Sequence, residues 1–181
     1  MKTYSKLLAL AIMSTAAAVN AQTYGEIGYT ATTYKENANG NGIKASPAAI
    51  RGLIGYELNP NLAIEGMVAL GLGDSTVKVN GQNISSIKLE IDNAIGLYLK
   101  PKTKLNDSVE IFGRVGFARI KGTVTATGYG TETDSENGFS YGAGLSYAIN
   151  PSTSLNADYM SYLNKDGSKV NGFTLGVGFK F

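Results

Sequence analysis

The chain has 181 residues, 16 basic and 14 acidic, a formal net charge of +2, and neither His nor Cys. Lacking both residues, it has no Ser-His-Asp triad, no Cys nucleophile, no disulfide framework and none of the usual zinc ligand sets. The near balance of charge gives no basic excess of the kind that tracks nucleic acid.

Residues 1–21 carry Lys2 and Lys6, then a mostly apolar stretch from Leu7 to Ala18, then Val19-Asn20-Ala21. Small residues stand at the two positions that matter for cleavage, so the segment reads as a secretory signal peptide cut before Gln22. A membrane-spanning helix needs ~20 apolar residues, more than this stretch supplies. Removing its two lysines from the 16 basic residues leaves 14, equal to the 14 acidic ones. Residues 22–181 are then one neutral domain. No later apolar run is long enough for a helical span, so a membrane-spanning form would have to be a closed barrel, in which every backbone group pairs internally.

Alternation of apolar and polar residues, the period of a strand with two different faces, recurs eight times. Residues 23–34 place Ile27, Tyr29 and Ala31 on the apolar parity. Residues 48–58 set Ile50, Ile54, Tyr56 and Leu58 against Arg51 and Glu57. Residues 62–73 set Leu62, Ile64, Val68, Leu70 and Leu72 against Glu65. Residues 87–100 set Ile87, Leu89, Ile91, Ile95, Leu97 and Leu99 against Lys88, Glu90, Asp92, Tyr98 and Lys100. Residues 108–121 set Val109, Ile111, Val115 and Phe117 against Glu110 and Arg114. Residues 138–149 set six apolar side chains, from Phe139 to Ile149, against small ones. Residues 154–163 set Leu155, Ala157, Tyr159 and Leu163 against Asn156 and Asp158. Residues 169–181 complete the set and end in Phe-Thr-Leu-Gly-Val-Gly-Phe-Lys-Phe.

Each run is near the ~9–11 residues that a tilted strand needs to cross a bilayer. Pro47, Pro60, Pro101 and Pro151 all fall at turns or strand starts, where no ladder hydrogen bond is lost. Residues 35–46, 74–86 and 122–137 read as long polar loops, and 59–61, 101–107 and 150–153 as shorter turns; residues 164–168 are a short connection on the long-loop side. Short periplasmic turns and longer extracellular loops are the rule in outer-membrane barrels, which puts both termini in the periplasm. No second domain is apparent.

The charged parity decides which face is inside. A soluble barrel would turn its apolar parity inward, whereas a membrane barrel turns it to lipid. Charges on the minority parity, and Tyr and Phe near strand ends on the majority one, favour lipid. Glu26, Arg51, Glu65, Asp92, Glu110, Arg114, Asp158 and Lys180 are then candidates for a lumenal charge network, with Arg114 near its centre and Glu26 close to Lys180. An eight-stranded lumen is just wide enough for side chains to fill, so the expected result is a plugged barrel; the alternative is a small-solute pore of low conductance. Arg119, Lys121 and Lys169, on the outward parity at the loop ends, are candidates for contact with lipid phosphates. Glu132, Asp134 and Glu136 form an acidic loop, read as solvated rather than as a cation site. No cofactor or metal site is expected.

The ending closely resembles the C-terminal signal of bacterial outer-membrane β-barrels, carried by Phe173, Leu175, Val177, Phe179 and Phe181. With the eight runs and the hairpin Gly55-Tyr56-Glu57-Leu58-Asn59-Pro60-Asn61-Leu62, the chain resembles the small OmpA/OmpX-like outer-membrane barrels. The resemblance implies an all-β, eight-stranded antiparallel up-and-down transmembrane β-barrel in a Gram-negative outer membrane. It implies a monomer that meets outer-membrane lipids, lipopolysaccharide and, during biogenesis, the barrel-assembly machinery. The known enzymes of this architecture depend on a His that this chain lacks. Hence the expected role is structural or surface-interacting, with an extracellular ligand held by the loops; a lipid-active enzyme is the least favoured reading.

Overall fold

The computed structural model describes residues 22–181 except Asn39 and Asp166, so the signal-peptide reading of residues 1–21 lies outside the described residues. Ten strands follow in order: β1 (Thr23–Ala38), β2 (Asn41–Ala45), β3 (Ala48–Asn59), β4 (Leu62–Gly71), β5 (Asp74–Val79), β6 (Gln82–Lys104), β7 (Val109–Ala126), β8 (Gly130–Asn150), β9 (Thr153–Lys165) and β10 (Ser168–Lys180). Neighbours pair antiparallel in the order β10-β9-β8-β7-β6-β4-β3-β1, and β10 pairs with β1 to close the ring. The barrel is thus eight-stranded, as the eight alternating runs imply.

The two additional strands are continuations. Pro47 has no N–H, and the ladder of β3 stops there; its carbonyl still accepts from the Thr32 backbone N–H at 3.0 Å and from the Thr32 hydroxyl. Gly73, at a φ of 139°, breaks the third run after β4. Beyond these breaks β2 takes the place of β3 beside β1, and β5 takes the place of β4 beside β6, while β2 and β5 pair with each other. The ring therefore goes on past the spanning segment as β1-β2-β5-β6. The segments read as long polar loops are largely strand: β2, β5 and the ends of β6, β7 and β8. Turn chemistry supports these hairpins. Asn80 and Gly81 have φ of 50° and 86°, the left-handed pair that a two-residue hairpin requires.

Side chains are distributed inside out. Ile27, Ile54, Val68, Leu97, Val115, Leu145, Leu155 and Leu175 are among the exposed large apolar residues, while Glu26, Arg51, Glu65, Arg114 and Asp158 are each 2% exposed or less. Charge at the centre and hydrocarbon outside is the arrangement of a barrel solvated by lipid.

Two bulges shift the faces from those expected. Ile91 pairs with Gly122 and Asn93 with Lys121, which leaves Asp92 as an extra residue in β6. An extra residue reverses the parity beyond it. Ile91 is therefore buried on the lumenal side, not on the lipid face, and Leu89 joins it. Likewise Tyr162 is extra in β9, between the pairs Ser161 with Asn171 and Leu163 with Val170. Leu163 turns inward for the same reason.

Candidate functional site: a locked lumen and a lysine row

The lumen has two levels. Toward the short-turn end, Arg114 reaches three carboxylates: Glu65 at 2.5 Å from Nε, Asp158 at 2.8 Å from Nη1 and Glu26 at 3.2 Å from Nη2. Arg51 approaches from β3 and holds Glu26 at 2.7 Å and Asp158 at 2.5 Å. Lys100 lies 3.3 Å from Glu65, with its Nζ 4.4 Å from the Phe112 ring centroid. Three cations thus face three carboxylates. The remaining valences go to neutral donors: Tyr24 donates to Glu65 at 2.6 Å, and Asn156 to Glu26 at 2.9 Å. Arg51 Nη1 also donates to the Tyr162 hydroxyl at 3.0 Å. An unpaired charge at this depth is expensive, so mutual pairing of these charges is the condition for the cluster to exist. Arg51 Nε is the one buried side-chain polar atom without a partner among the described residues.

Five of the eight residues read as a lumenal network meet here: Glu26, Arg51, Glu65, Arg114 and Asp158. Three do not. Asp92 is the bulged residue of β6; it accepts from the Thr123 hydroxyl at 2.9 Å on the outer side of the wall. Glu110 belongs to a separate cluster nearer the turn end, where Lys102 lies 3.4 Å from it and 2.5 Å from Glu57. Lys180 is on the inward parity opposite Tyr24, but the Glu26 carboxylate is taken by the two arginines and Asn156, so the expected approach of Glu26 and Lys180 does not occur. Lys100 and Tyr24 join the network through Glu65; in the sequence only their inward parity marks them.

Above the charges the lumen is uncharged and mostly apolar, with Thr30 and Thr32 among its buried polar side chains. Leu53, Met67, Ala69, Ala94, Ile120 and Met160 pack with Tyr98 and Tyr162, so charge does not run the length of the barrel. Among the described residues no group of His, Cys, Asp and Glu is arranged to hold a metal ion.

On the outer wall, Phe173, Leu175, Phe179 and Phe181 are exposed and Val177 is half-buried, all on one side of β10. Phe117 and Phe139 meet edge to face at 5.8 Å on neighbouring strands. Farther up, beyond this apolar belt, the pairing registers align four lysines. Lys169 of β10 stands opposite Lys35 of β1, Lys35 opposite Lys44 of β2, and Lys44 opposite Lys78 of β5. All four are exposed. At ~4.8 Å per strand the row is about 14 Å long. Like charges directly opposite one another destabilise a sheet, so this row is a local liability to the fold. Lys35, Lys44 and Lys78 lie far apart in sequence, and only the register reveals them. Arg119 and Lys121 are also exposed and outward, but on β7, with β8 and β9 between them and Lys169. The three cations expected to act together are two separate groups.

The architecture and its inside-out chemistry agree with known proteins. An attachment invasion locus protein of Yersinia pseudotuberculosis is 28% identical over 172 residues, 91% of this chain and 90% of its own length. Among solved structures, Ail of Yersinia pestis, crystallised with the heparin analogue sucrose octasulfate, superposes with a TM-score of 0.65 at 22% identity, covering 90% of this chain and all of Ail. Neisserial surface protein A gives a TM-score of 0.64 at 17% identity, with 88% of this chain and 97% of its own covered. At these identities the structures speak for the fold. The pattern of the family described as "Outer membrane protein beta-barrel domain" matches residues 5–181, and the chain belongs to that family of Gram-negative outer-membrane barrels.

Proposed function

We propose that this protein is a surface-attachment barrel, whose lysine row docks a polyanionic glycan outside the cell. The observation that carries this reading is the in-register row Lys169, Lys35, Lys44 and Lys78, an arrangement that the fold itself disfavours. Neutralisation by an external polyanion turns that repulsion into binding energy. Lys44 and Lys78 of the row lie on β2 and β5, which continue the ring past the spanning segment, and this favours a solvated glycan over the lipid phosphate plane. Arg119 and Lys121 stand just beyond Phe117 on β7, a strand of the spanning ring itself, and we assign them to lipopolysaccharide phosphates. In this reading the long hairpins are extracellular and both termini periplasmic, and the outward face of β10 ending in Phe181 is the signal for the barrel-assembly machinery. The attachment invasion locus relative and the heparin analogue bound to Ail lend support by analogy.

The pore alternative has less behind it, since three buried cations and three buried carboxylates fill the lumen. Retention of the nanodisc-embedded protein on immobilised heparin tests attachment. Wild type should be retained and the Lys35→Gln, Lys44→Gln, Lys78→Gln triple variant should not. Equal retention of both would remove the row from the reading.

A further inference from the structure

At the hairpin end, above the apolar plug, the barrel opens into a cavity of about 300 Å³, at the small end of the ~300–1,000 Å³ typical of ligand pockets. Its apolar wall is made by Leu89, Ile91, Ile120, Val124, Leu163 and Val170. Its rim carries the carboxylates of Glu36, Asp134 and Glu136. Among the described lining residues there is no Lys or Arg; Lys165 reaches Glu136 at 3.0 Å from beyond the rim. Glu36 accepts from Tyr34 at 2.5 Å, an uncharged donor that leaves its charge in place.

The two bulges bear on this cavity. Asp92 and Tyr162 are extra residues on two strands that are not neighbours, β6 and β9. Each turns a large apolar side chain, Ile91 or Leu163, from the outer face into the same mouth. Bulges recur where a side chain is re-aimed at a functional position, and two of them converge here. A mouth that merely faced water would be more stable with polar walls, since apolar area left wet forfeits roughly 25 cal/mol per Å².

We propose that this vestibule binds a small amphipathic organic cation: an apolar body seated on the Ile91, Ile120, Leu163 and Val170 floor, with an ammonium among Glu36, Asp134 and Glu136. Hydrocarbon walls select the body. The three carboxylates at the rim, Glu36 half-buried and Asp134 and Glu136 exposed, select a positive head over a neutral or negative one. The site is separate from the lysine row, which lies on the outer wall and attracts the opposite charge, so the two readings stand or fall independently.

The test is a titration of methyl-labelled protein in lipid nanodiscs with three probes of one shape: 4-phenylbutylamine, 4-phenylbutanol and 4-phenylbutyrate. The amine should give saturable shifts at the Ile91, Ile120, Leu163 and Val170 methyls, and the carboxylate should bind at least ~10-fold more weakly. The Glu36→Gln, Asp134→Asn double variant should lose most of the preference for amine over alcohol while still binding the alcohol. Val124→Trp, which fills the mouth, should abolish binding of all three, with heat-shifted gel mobility reporting that each variant is folded. Absence of saturable shifts with the amine, or equal affinity for amine and carboxylate, would overturn the proposal.

Discussion

Arg114 and Asp158, 44 positions apart in the sequence, meet at 2.8 Å in the middle of the barrel, both almost fully buried. Asp158 also receives Arg51, so one carboxylate ties β3 and β7 to β9 across the lumen. A cross-brace of this kind stiffens the ring and occupies the space through which solute would pass.

Removing Arg114 should therefore loosen the lumen. Arg114→Ala leaves Glu65 with Lys100 as its remaining ion-pair partner, and deleting one partner of a buried pair typically destabilises by about 3–5 kcal/mol. Thermal or denaturant unfolding in detergent measures this. In planar bilayers the wild type should be nearly silent and the variant should show frequent current steps. Large, steady currents from the wild type would refute the plugged lumen.

Insertion should depend on the outer face of β10. Val177→Arg places a cation among Leu175 and Phe179 on the lipid side and should destabilise by about 2–4 kcal/mol if it lies near the midplane. Deleting Phe181 should lower the amount assembled without changing the stability of what does assemble. Outer-membrane levels and heat-modified gel mobility of the two variants separate these effects; normal levels for both would refute the assignment.

Arg119 and Lys121 should act on lipid and not on glycan. Substituting both by Gln should weaken association with lipopolysaccharide roughly 30-fold, as expected from about 1 kcal/mol per basic residue near an anionic surface. Retention on heparin should not change. Loss of heparin binding in this variant would merge the two groups of cations and contradict their separate placement.

Most of the barrel is legible in the sequence because a strand with two different solvents has a strict period of two. The charged parity located Arg51, Glu65, Arg114 and Asp158 for the same reason. The misplaced faces have one physical origin. A single extra residue, Asp92 or Tyr162, reverses every face beyond it and has no compositional mark, so by alternation alone Ile91 and Leu163 read as lipid-facing. Segments 35–46 and 74–86 are mostly exposed, with Ala45 and Val77 their only buried side chains among the described residues, too little alternation to mark strands β2 and β5. The dipeptide Asn80-Gly81 did mark one of those hairpins. The lysine row was out of reach without pairing registers, since Lys35, Lys44, Lys78 and Lys169 share no local pattern.

The row makes a second, opposite prediction about the fold. Relieving repulsion between directly opposed lysines should stabilise the sheet, so Lys35→Gln, flanked by Lys169 and Lys44, should raise unfolding resistance by roughly 0.2–1 kcal/mol. A stabilising change that weakens binding is what a residue kept for a ligand produces; unchanged or lower stability would argue that the lysines do not feel one another.

The most direct test of the account is equilibrium binding of heparin to the nanodisc-embedded protein as a function of salt. Wild type should bind, with affinity falling steeply as salt rises, because the contact is made by exposed ammonium groups. Lys35→Gln with Lys44→Gln removes the two central lysines, and at about 1 kcal/mol each should weaken binding roughly 30-fold and flatten the salt dependence. Binding of the double variant at wild-type strength, or wild-type binding indifferent to salt, would contradict attachment through the lysine row.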